Sequence, residues 1–301
     1  MSKAKSTLPV YSITSLQDER LVHDVIIADR VPHYLKAHPE LFQGHGHSFY
    51  HIMLLTKGCF FHTIDFVQYQ ATPGSIYFMV PGQAHSWSFQ EEVAGYVINF
   101  SESLFISFLA DPLYIEHFSF FSGDARDQRI SLDDATCGKA AAILEQVVEE
   151  VNDINSFQLD ALRLQLLLLF ILVERNHSVS VTPTDKAHPR ILILQNFRRL
   201  LNTQYYEHKL PRDYASMLYV TPNYLNALCK ELLGKPVGEV IRERVLLEAK
   251  RQLANLNENI AGIANKLGFT DNSYFSRFFK KYAGMTPEEF RRCVQSAPVK
   301  T

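Results

Sequence analysis

Hydrophobic residues recur at a spacing of three and four positions in two stretches near the C-terminal end of the chain, and this spacing predicts two amphipathic helices. The two apolar stripes are Leu225, Leu228, Cys229 and Leu232, and Phe275, Phe278, Phe279 and Tyr282. Thr221 and Asp271 stand before the stripes as candidate N-caps. Gly234 and Gly284 follow them at the C′ position, where a left-handed backbone favours glycine.

The two helices belong to a sequence repeat. Residues 223–230 match residues 273–280 at an offset of 50 residues, and each run follows a short apolar segment, at 215–218 and 264–267. A repeated helix, tight turn and helix predicts two helix-turn-helix modules. Residues 237–253 predict a helix between the modules. A helix of about 17 residues measures about 26 Å, which suits two recognition helices in successive major grooves about 34 Å apart.

The outward faces of the two predicted recognition helices are mostly polar or basic. They consist of Asn223, Asn226, Ala227 and Lys230 in the first helix, and Ser273, Ser276, Arg277 and Lys280 in the second. Short polar side chains contact base edges, and basic side chains contact phosphates. One module alone would be weak evidence, because helical hairpins are common structural units. Two modules joined by a helix predict binding to double-stranded DNA.

The N-terminal part has a different hydrophobic pattern. Short apolar runs between residues 45 and 100, separated by Gly and Pro turn signals, predict the strands of a small β-barrel or sandwich. Two helices are predicted at 133–154 and 157–174, and the second is apolar nearly all round, so it needs cover on every side. That cover is either a bundle within one chain or a second subunit.

Histidines are concentrated at the start of this β-rich region. Period-2 alternation places His45, His47, Phe49 and His51 on one face of a single strand, and His85 opens a later strand. Four imidazoles can hold a transition metal such as Zn, Fe, Ni or Cu. The alternative is that these histidines form local hydrogen bonds without a metal. Our prediction assigns no cofactor and keeps the transition metal as the alternative.

The charged residues are divided unevenly along the chain. Residues 186–301 carry 19 Lys and Arg against 10 Asp and Glu, whereas residues 1–185 carry 11 against 22. A basic C-terminal part suits phosphate binding. The four cysteines form no C-x-x-C pair, which indicates reduced thiols, and the chain shows neither a signal segment nor an apolar run long enough for a bilayer. We expect a soluble cytoplasmic protein with no membrane partner.

The C-terminal third resembles the DNA-binding domain of the AraC/XylS family of bacterial transcription regulators. The resemblance rests on the motifs YFSRFFK at residues 274–280 and GMTPEEFR at residues 284–291, together with the preceding turn at 267–269. It implies base contacts from Asn223, Asn226 and Ala227 in the first helix, and from Asn272, Ser273, Ser276 and Arg277 in the second. Lys230, Lys280 and Lys281 are then available for phosphates.

Two residues depart from the family pattern. Ala227 replaces a longer polar residue, so the first recognition helix is expected to contact fewer bases. Tyr219 replaces the glycine of the helix-turn-helix turn, whose counterpart in the second module is Gly268. The first turn is therefore expected to differ from the second.

Residues 20–100 resemble the cupin barrel that serves many AraC-type regulators as a sensor domain, through HGHSFYH at 45–51, Gly58, PGSI at 73–76 and PGQAH at 81–85. In metal-binding cupins an H-x-H pair, an acidic residue and a later histidine bind one ion, and His51 stands here in place of the acidic residue. Without a metal, the resemblance implies a pocket for a small organic effector. Its candidate lining is Phe49, Met53, Phe60, His62, Tyr77, Trp87 and Tyr96.

These observations predict an α+β protein of two domains. Residues 1–175 form a cupin-like β-barrel with dimerisation helices, residues 176–189 a linker, and residues 190–295 an all-α domain with two helix-turn-helix motifs joined by a linker helix. The predicted function is a sequence-specific, effector-responsive transcription regulator that acts as a homodimer, meets RNA polymerase if it is an activator, and is not an enzyme. The alternatives are a metal-dependent cupin enzyme tethered to DNA and a constitutive DNA-binding scaffold.

Overall fold

The computed structural model describes residues 9–16, 25–89, 91–106, 108–109, 114–123, 127–153, 155–177, 188–254 and 258–296. These residues form two compact units, 9–177 and 188–296. Most of the predicted linker, residues 178–187, and the C-terminal residues 297–301 lie outside the described residues. None of the helices in the described ranges combines the length and apolar character that a membrane crossing requires.

Two five-stranded sheets dominate the N-terminal unit. The first has the order β1 (Val10–Tyr11), β3 (His45–His47), β8 (Ala84–Phe89), β5 (Phe60–Ile64) and β6 (Val67–Ala71). The second has the order β10 (Arg129–Ser131), β7 (Ser75–Met79), β4 (Tyr50–Lys57), β9 (Ala94–Phe100) and β2 (Ile26–Arg30). Side chains from both sheets share one core, so the sheets face each other. The predicted cupin-like architecture is confirmed. It consists of two facing sheets and not of one continuous closed barrel.

Alternation along the strands of the second sheet separates two cores. On β4, Met53 and Leu55 join the core between the sheets, whereas Ile52 and Leu54 join a core on the outer face. This outer core is covered by α3 (Asp134–Asn152) and α4 (Gln158–His177), while α1 (Val31–Ala37) and α2 (Ser103–Ile106) are short. The helix α3 begins after Asp133, whose carboxylate accepts a hydrogen bond from Thr136 N at 2.8 Å.

The prediction that His45, His47 and His51 share one strand is wrong. His45 and His47 lie on β3 in the first sheet, whereas His51 lies on β4 in the second, and the chain crosses between the sheets at residues 48–49. All three side chains are buried, and their rings approach one another between the sheets. The crossover therefore keeps the histidines together although the strand does not continue.

The C-terminal unit consists of helices packed around two cores. The helices are α5 (His188–Gln204), α6 (Pro211–Met217), α7 (Pro222–Leu233), α8 (Val237–Ala254), α9 (Ile260–Lys266), α10 (Asn272–Ala283) and α11 (Pro287–Ser296). α8 contributes Val237 and Ile241 to the core around α7, and Val245, Ala249 and Leu253 to the core around α10. The predicted linker helix between two helix-turn-helix modules is confirmed.

The predicted helix ends are also confirmed. Thr221 Oγ1 accepts a hydrogen bond from Tyr224 N at 3.2 Å, and the Asp271 carboxylate accepts one from Ser273 N at 2.7 Å. Gly234 and Gly284 follow α7 and α10 with φ values of 70° and 80°. Both recognition helices therefore begin at a side-chain cap and end at a left-handed glycine.

The expected difference between the two module turns is not found in the backbone. Tyr219 has φ 55° and Gly268 has φ 70°, so both lie in the left-handed region. The next N–H closes the same hydrogen bond in each turn, from Val220 to Ala215 O at 3.0 Å and from Phe269 to Ala264 O at 2.9 Å. The side chain of Tyr219 is 97 % exposed, so nothing around it opposes a Cβ.

Candidate DNA interface and histidine cluster

The two recognition helices α7 and α10 present matching outward faces. Burial follows the same order in both, with Leu225 and Phe275 fully buried and the positions before them exposed. The exposed candidate contact residues are Asn223, Ala227, Lys230, Asn272, Ser273, Arg277, Lys280 and Lys281, and the half-buried ones are Asn226 and Ser276. The guanidinium of Arg277 lies 4.0 Å from the Asp271 carboxylate, and its side chain is 74 % exposed. The outward faces predicted for both helices are therefore accessible to solvent.

Asn226 makes a contact inside the protein as well. Its Oδ1 accepts a hydrogen bond from the backbone N–H of Val237, the first residue of α8, at 3.2 Å. An asparagine that recognises adenine uses both its amide oxygen and its amide nitrogen. Of these two groups, the oxygen of Asn226 is already engaged.

The arginines of α8 divide into an internal pair and a surface residue. The guanidinium of Arg244 donates to Asn202 Oδ1 and Glu248 Oε2, each at 3.1 Å, and lies 4.3 Å from the centre of the Tyr205 ring. Arg251 lies 3.4 Å from the same Glu248 and its side chain is only 6 % exposed. Arg244 therefore links α8 to α5, whereas Arg251 pairs with a glutamate of its own helix, so both guanidinium groups are engaged inside the protein. Arg242 stacks on the half-exposed Tyr282 instead.

Five histidines meet between the two sheets of the N-terminal unit. His62 of β5 joins the four that the sequence analysis grouped, and all five are buried. The ring centres of His47, His51 and His85 lie 5.1 to 5.6 Å apart. Trp87 lies beside them, with its ring centre 4.9 Å from that of His85. The cluster thus places five imidazole rings beside the apolar core between the sheets.

Hydrogen bonds assign the tautomer of each ring. Nδ1–H of His45, His47 and His51 donates to Gln43 O, Phe49 O and Asn99 Oδ1, at 2.8, 2.8 and 2.7 Å. His45 Nε2 therefore accepts from His85 Nε2–H at 2.8 Å, and His85 Nδ1 in turn accepts from His62 Nε2–H at 3.0 Å. This order leaves lone pairs on His47 Nε2, His51 Nε2 and His62 Nδ1, and these three buried atoms have no hydrogen-bond partner among the described residues.

Burial keeps the cluster uncharged. It lowers the pKa of each of the five histidines below the ordinary 6.5, and that of His51 to about 4. Neighbouring imidazoles add to the effect, because a second positive charge is unfavourable at this distance. Near neutral pH the site therefore offers lone pairs and ring N–H groups but no net charge.

The described side chains include no group of three or more His, Cys, Asp or Glu residues that is arranged to hold a metal ion. His45 Nε2 and His85 Nε2 lie 2.8 Å apart with a proton between them. Two nitrogens that bind one ion at about 2.0–2.1 Å in a tetrahedron lie about 3.4 Å apart and carry no proton. The four candidate ligands thus come together, but two of them, His45 and His85, are hydrogen-bonded to each other instead of to an ion.

Most side chains of the predicted effector lining lie between the two sheets. Phe49, Met53, Phe60, Tyr77 and Trp87 belong to the core between the sheets, and His62 contacts Tyr77 there. The prediction that Tyr96 lines the pocket is wrong, because this side chain packs against the outer core. Tyr96 lies on β9 next to Val97, and because adjacent strand residues point to opposite faces, only Val97 points inward.

Two further polar residues, which the histidine pattern did not indicate, support the cluster. Asn99 accepts from His51, and its Nδ2 donates to Tyr34 Oη at 2.8 Å. Both side chains are fully or almost fully buried. A single asparagine within the apolar strand β9 was the available signal, since a buried amide needs partners.

Family models match parts of both units. The AraC-like ligand binding domain matches residues 28–167, and a helix-turn-helix domain matches residues 214–293. The HTH-type transcriptional activator RhaR of Yersinia pestis (bv. Antiqua, strain Angola) is 25% identical over 272 residues, which cover 86% of this chain and 88% of that protein. The uncharacterized transcriptional regulatory protein YesN of Bacillus subtilis (strain 168) is 40% identical over 78 residues, which cover 25% of this chain and 21% of that protein. Among solved structures, ToxT of Vibrio cholerae aligns over 89% of this chain and 98% of its own, with 18% identity and a TM-score of 0.43.

Proposed function

The chain belongs to the AraC family of transcription regulators, and from this premise we propose that it binds its operator as a homodimer and changes that binding when a small molecule enters the space between its two sheets. We expect it to act in the cytoplasm, where the DNA that it would bind is located. The observation that carries the proposal is the repeated polar and basic face of α7 and α10 on a chain that also contains an AraC-like ligand-binding domain. We do not assign it an enzymatic activity.

The histidine cluster supports a particular effector chemistry. The unpartnered lone pairs of His47, His51 and His62 require hydrogen-bond donors, and the Trp87 indole N–H, which lacks a partner among the described side chains, requires an acceptor. A carboxylate would place negative charge against three lone pairs. The site therefore favours an uncharged ligand that carries hydroxyl or N–H groups, because such a ligand satisfies buried atoms that each cost about 1–3 kcal/mol when unpaired.

The exposed side of α4 supports self-association. Leu164 and Leu168 are 58 % and 56 % exposed and lie one helical turn apart, and Phe157, which directly precedes α4, is exposed as well. Large apolar side chains in a contiguous stripe mark an interaction surface. A second copy of the chain presents the same stripe and is its natural partner in a two-fold dimer.

Activation of transcription is the direction we propose, because the relative RhaR of Yersinia pestis is named a transcriptional activator. An activator contacts RNA polymerase as well as DNA. The test is a transcription assay with purified polymerase on a promoter that carries the selected operator. Repression of the basal transcript would reverse the assignment.

The metal interpretation remains a second proposal for the same cluster. The near-equal ring separations of His47, His51 and His85 favour it, whereas the direct contact between His45 and His85 opposes it. Metal analysis of untagged protein prepared without chelators separates the two. About one equivalent of a transition metal per chain, lost on replacement of His47 and His85, would establish a metal site and would reopen the enzyme hypothesis.

Selection of duplexes from a random library by the full-length protein tests DNA recognition. We expect an enriched site with two half-sites, and tighter or weaker binding to it when an effector is present. Enrichment of no sequence above the input library would overturn the proposed function. If a site is enriched but no ligand from a chemically diverse panel changes the affinity for it, the constitutive DNA-binding scaffold would be favoured.

A further inference from the structure

The two modules begin the helix that follows the recognition helix in different ways. The offset of 50 residues aligns Asn226 with Ser276 and Val237 with Pro287. In the first module α8 begins at Val237, whose N–H is one of the groups that the first turn of a helix leaves unpaired, and Asn226 Oδ1 accepts it. In the second module α11 begins at Pro287, which has no N–H to satisfy.

The second module supplies its own helix cap. Thr286 Oγ1 accepts from Glu289 N at 3.2 Å, and the Glu289 carboxylate accepts from Thr286 N at 2.7 Å. This reciprocal pair is a capping box within residues 286–289. In the first module the residue at the position of Thr286 is Pro236, which has no side-chain oxygen. The cap of α8 therefore comes from the recognition helix itself, whereas the cap of α11 does not.

This difference changes which side chains remain for DNA. On α7 the amide oxygen of Asn226 is engaged with the backbone and Ala227 has no polar group, so that Asn223 is the polar residue left at its exposed N-terminal turn. On α10 the Ser276 hydroxyl makes no hydrogen bond to any described residue. Asn272, Ser273 and Arg277 are exposed beside it.

We propose that base discrimination resides mainly in α10 and that Asn226 is a positioning residue, which holds α8 against α7, rather than a base contact. The inference rests on the proposed DNA binding and adds a division of roles between the modules. The first module then anchors the protein to the DNA backbone, through contacts of Lys230 with phosphates. The second module decides which sequence is bound.

Four variants of the full chain test this division. Asn226→Asp keeps an acceptor for Val237 N–H and places negative charge at the start of a helix, where it is favourable. Asn226→Ala removes the acceptor. Ser276→Ala and Arg277→Ala make the matching changes on α10. The readouts are the affinity ratios between the selected site and its single-base variants, and hydrogen exchange of a peptide that covers the start of α8.

With Asn226→Asp and Asn226→Ala, every affinity ratio is expected to stay within about twofold of the wild-type value. Amide exchange at the start of α8 should rise in Asn226→Ala and return to the wild-type rate in Asn226→Asp. Arg277→Ala should reduce at least one ratio about fivefold or more, without a change in exchange at α8. Because ratios are compared, a uniform loss of affinity from the added negative charge does not enter the result.

The proposal is overturned if either Asn226 variant reduces a base ratio as much as Arg277→Ala does, or if exchange at α8 is the same in all variants. If Asn226→Ala fails to fold, Asn226→Asp alone decides, because a base-reading asparagine changes its preferred base when its amide nitrogen is replaced. A wild-type protein that enriches no sequence would count against the proposed function instead, and that result is visible before any variant is made.

Discussion

His45 and His85 are directly opposite one another in the β3–β8 pair, and their Nε2 atoms lie 2.8 Å apart with one proton between them. The arrangement holds only while at least one of the two Nε2 atoms is unprotonated. If both rings became imidazolium ions, two N–H donors would face each other inside the sheets. The contact therefore links the packing of the N-terminal unit to the protonation of its histidines.

The first prediction is a loss of stability in mild acid. Since the pKa of His51 is about 4 in the folded chain and the ordinary value is 6.5, the unfolded chain binds more protons between these values, and the free energy of unfolding falls as the pH falls through that window. Each histidine of this kind contributes about 1.4 kcal/mol per pH unit. Urea unfolding from pH 7.5 to 4.5, followed by the fluorescence of Trp87, the single tryptophan, measures the slope. A free energy that stays constant from pH 6.5 to 4.5 would contradict a neutral cluster, and His51→Gln should reduce the slope.

The second prediction compares two basic residues of α10. Arg277→Ala is expected to cost about 1–3 kcal/mol at the selected operator and to relax one base position, because arginine contacts guanine through two hydrogen bonds. Lys280→Ala should weaken binding to all sequences alike and reduce the salt dependence by about one phosphate contact. Fluorescence anisotropy at several salt concentrations, with operator and random duplexes, separates the effects. Equal losses on both duplexes for Arg277→Ala would refute its base contact.

The third prediction concerns the two left-handed turns. A Cβ at Gly268 would meet Tyr206 O at 1.8 Å, so Gly268→Ala is expected to destabilise the C-terminal unit by at least about 1–3 kcal/mol. Tyr219→Gly removes left-handed strain of about 1–2 kcal/mol but gives the unfolded chain more freedom, which costs about 0.4–1 kcal/mol. The net change in the free energy of unfolding for Tyr219→Gly should therefore lie between zero and a slight stabilisation. Thermal unfolding followed by far-UV circular dichroism checks the pair, and a large loss in Tyr219→Gly would show that the tyrosine supports the fold.

The fourth prediction is that charges on the exposed stripe of α4 dissociate the dimer. Leu164→Glu together with Leu168→Glu should yield a monomer that binds a two-half-site operator more weakly, because the two copies no longer bind as one. The matched control is Lys139→Glu, which changes an exposed residue on the neighbouring helix α3. Sedimentation velocity gives the oligomeric state. A wild-type protein that is monomeric at concentrations above those used for DNA binding would rule out this interface.

The C-terminal unit was largely predictable because its signals are local. A cap, a stripe at helical spacing and a glycine lie within about 15 residues of one another, and Thr221 and Gly234 show that each signal keeps its meaning in the folded chain. The contact from Asn226 to Val237 could not be predicted in this way. It depends on which way a half-buried side chain turns once two helices have packed.

The N-terminal unit was less predictable because its partners are distant in sequence. Period-2 alternation grouped His45, His47 and His51, whose rings do approach one another, yet it could not show that the chain changes sheets at residues 48–49. The cupin resemblance likewise placed Tyr96 in the effector lining, whereas its neighbour Val97 is the residue that points between the sheets. The contact between His62 and His85 joins strands β5 and β8, whose pairing is fixed by the whole sheet.

The shared helix α8 has a consequence for the geometry of the DNA site. The helix α8 contributes residues to both cores of the C-terminal unit. Its length therefore sets how far α10 is rotated relative to α7 about the α8 axis. One inserted residue would turn the far end by about 100° and advance it by about 1.5 Å. The number of residues between Ile241 and Val245 is therefore expected to set the angle between α7 and α10, and with it the spacing of the two DNA segments that one chain would face.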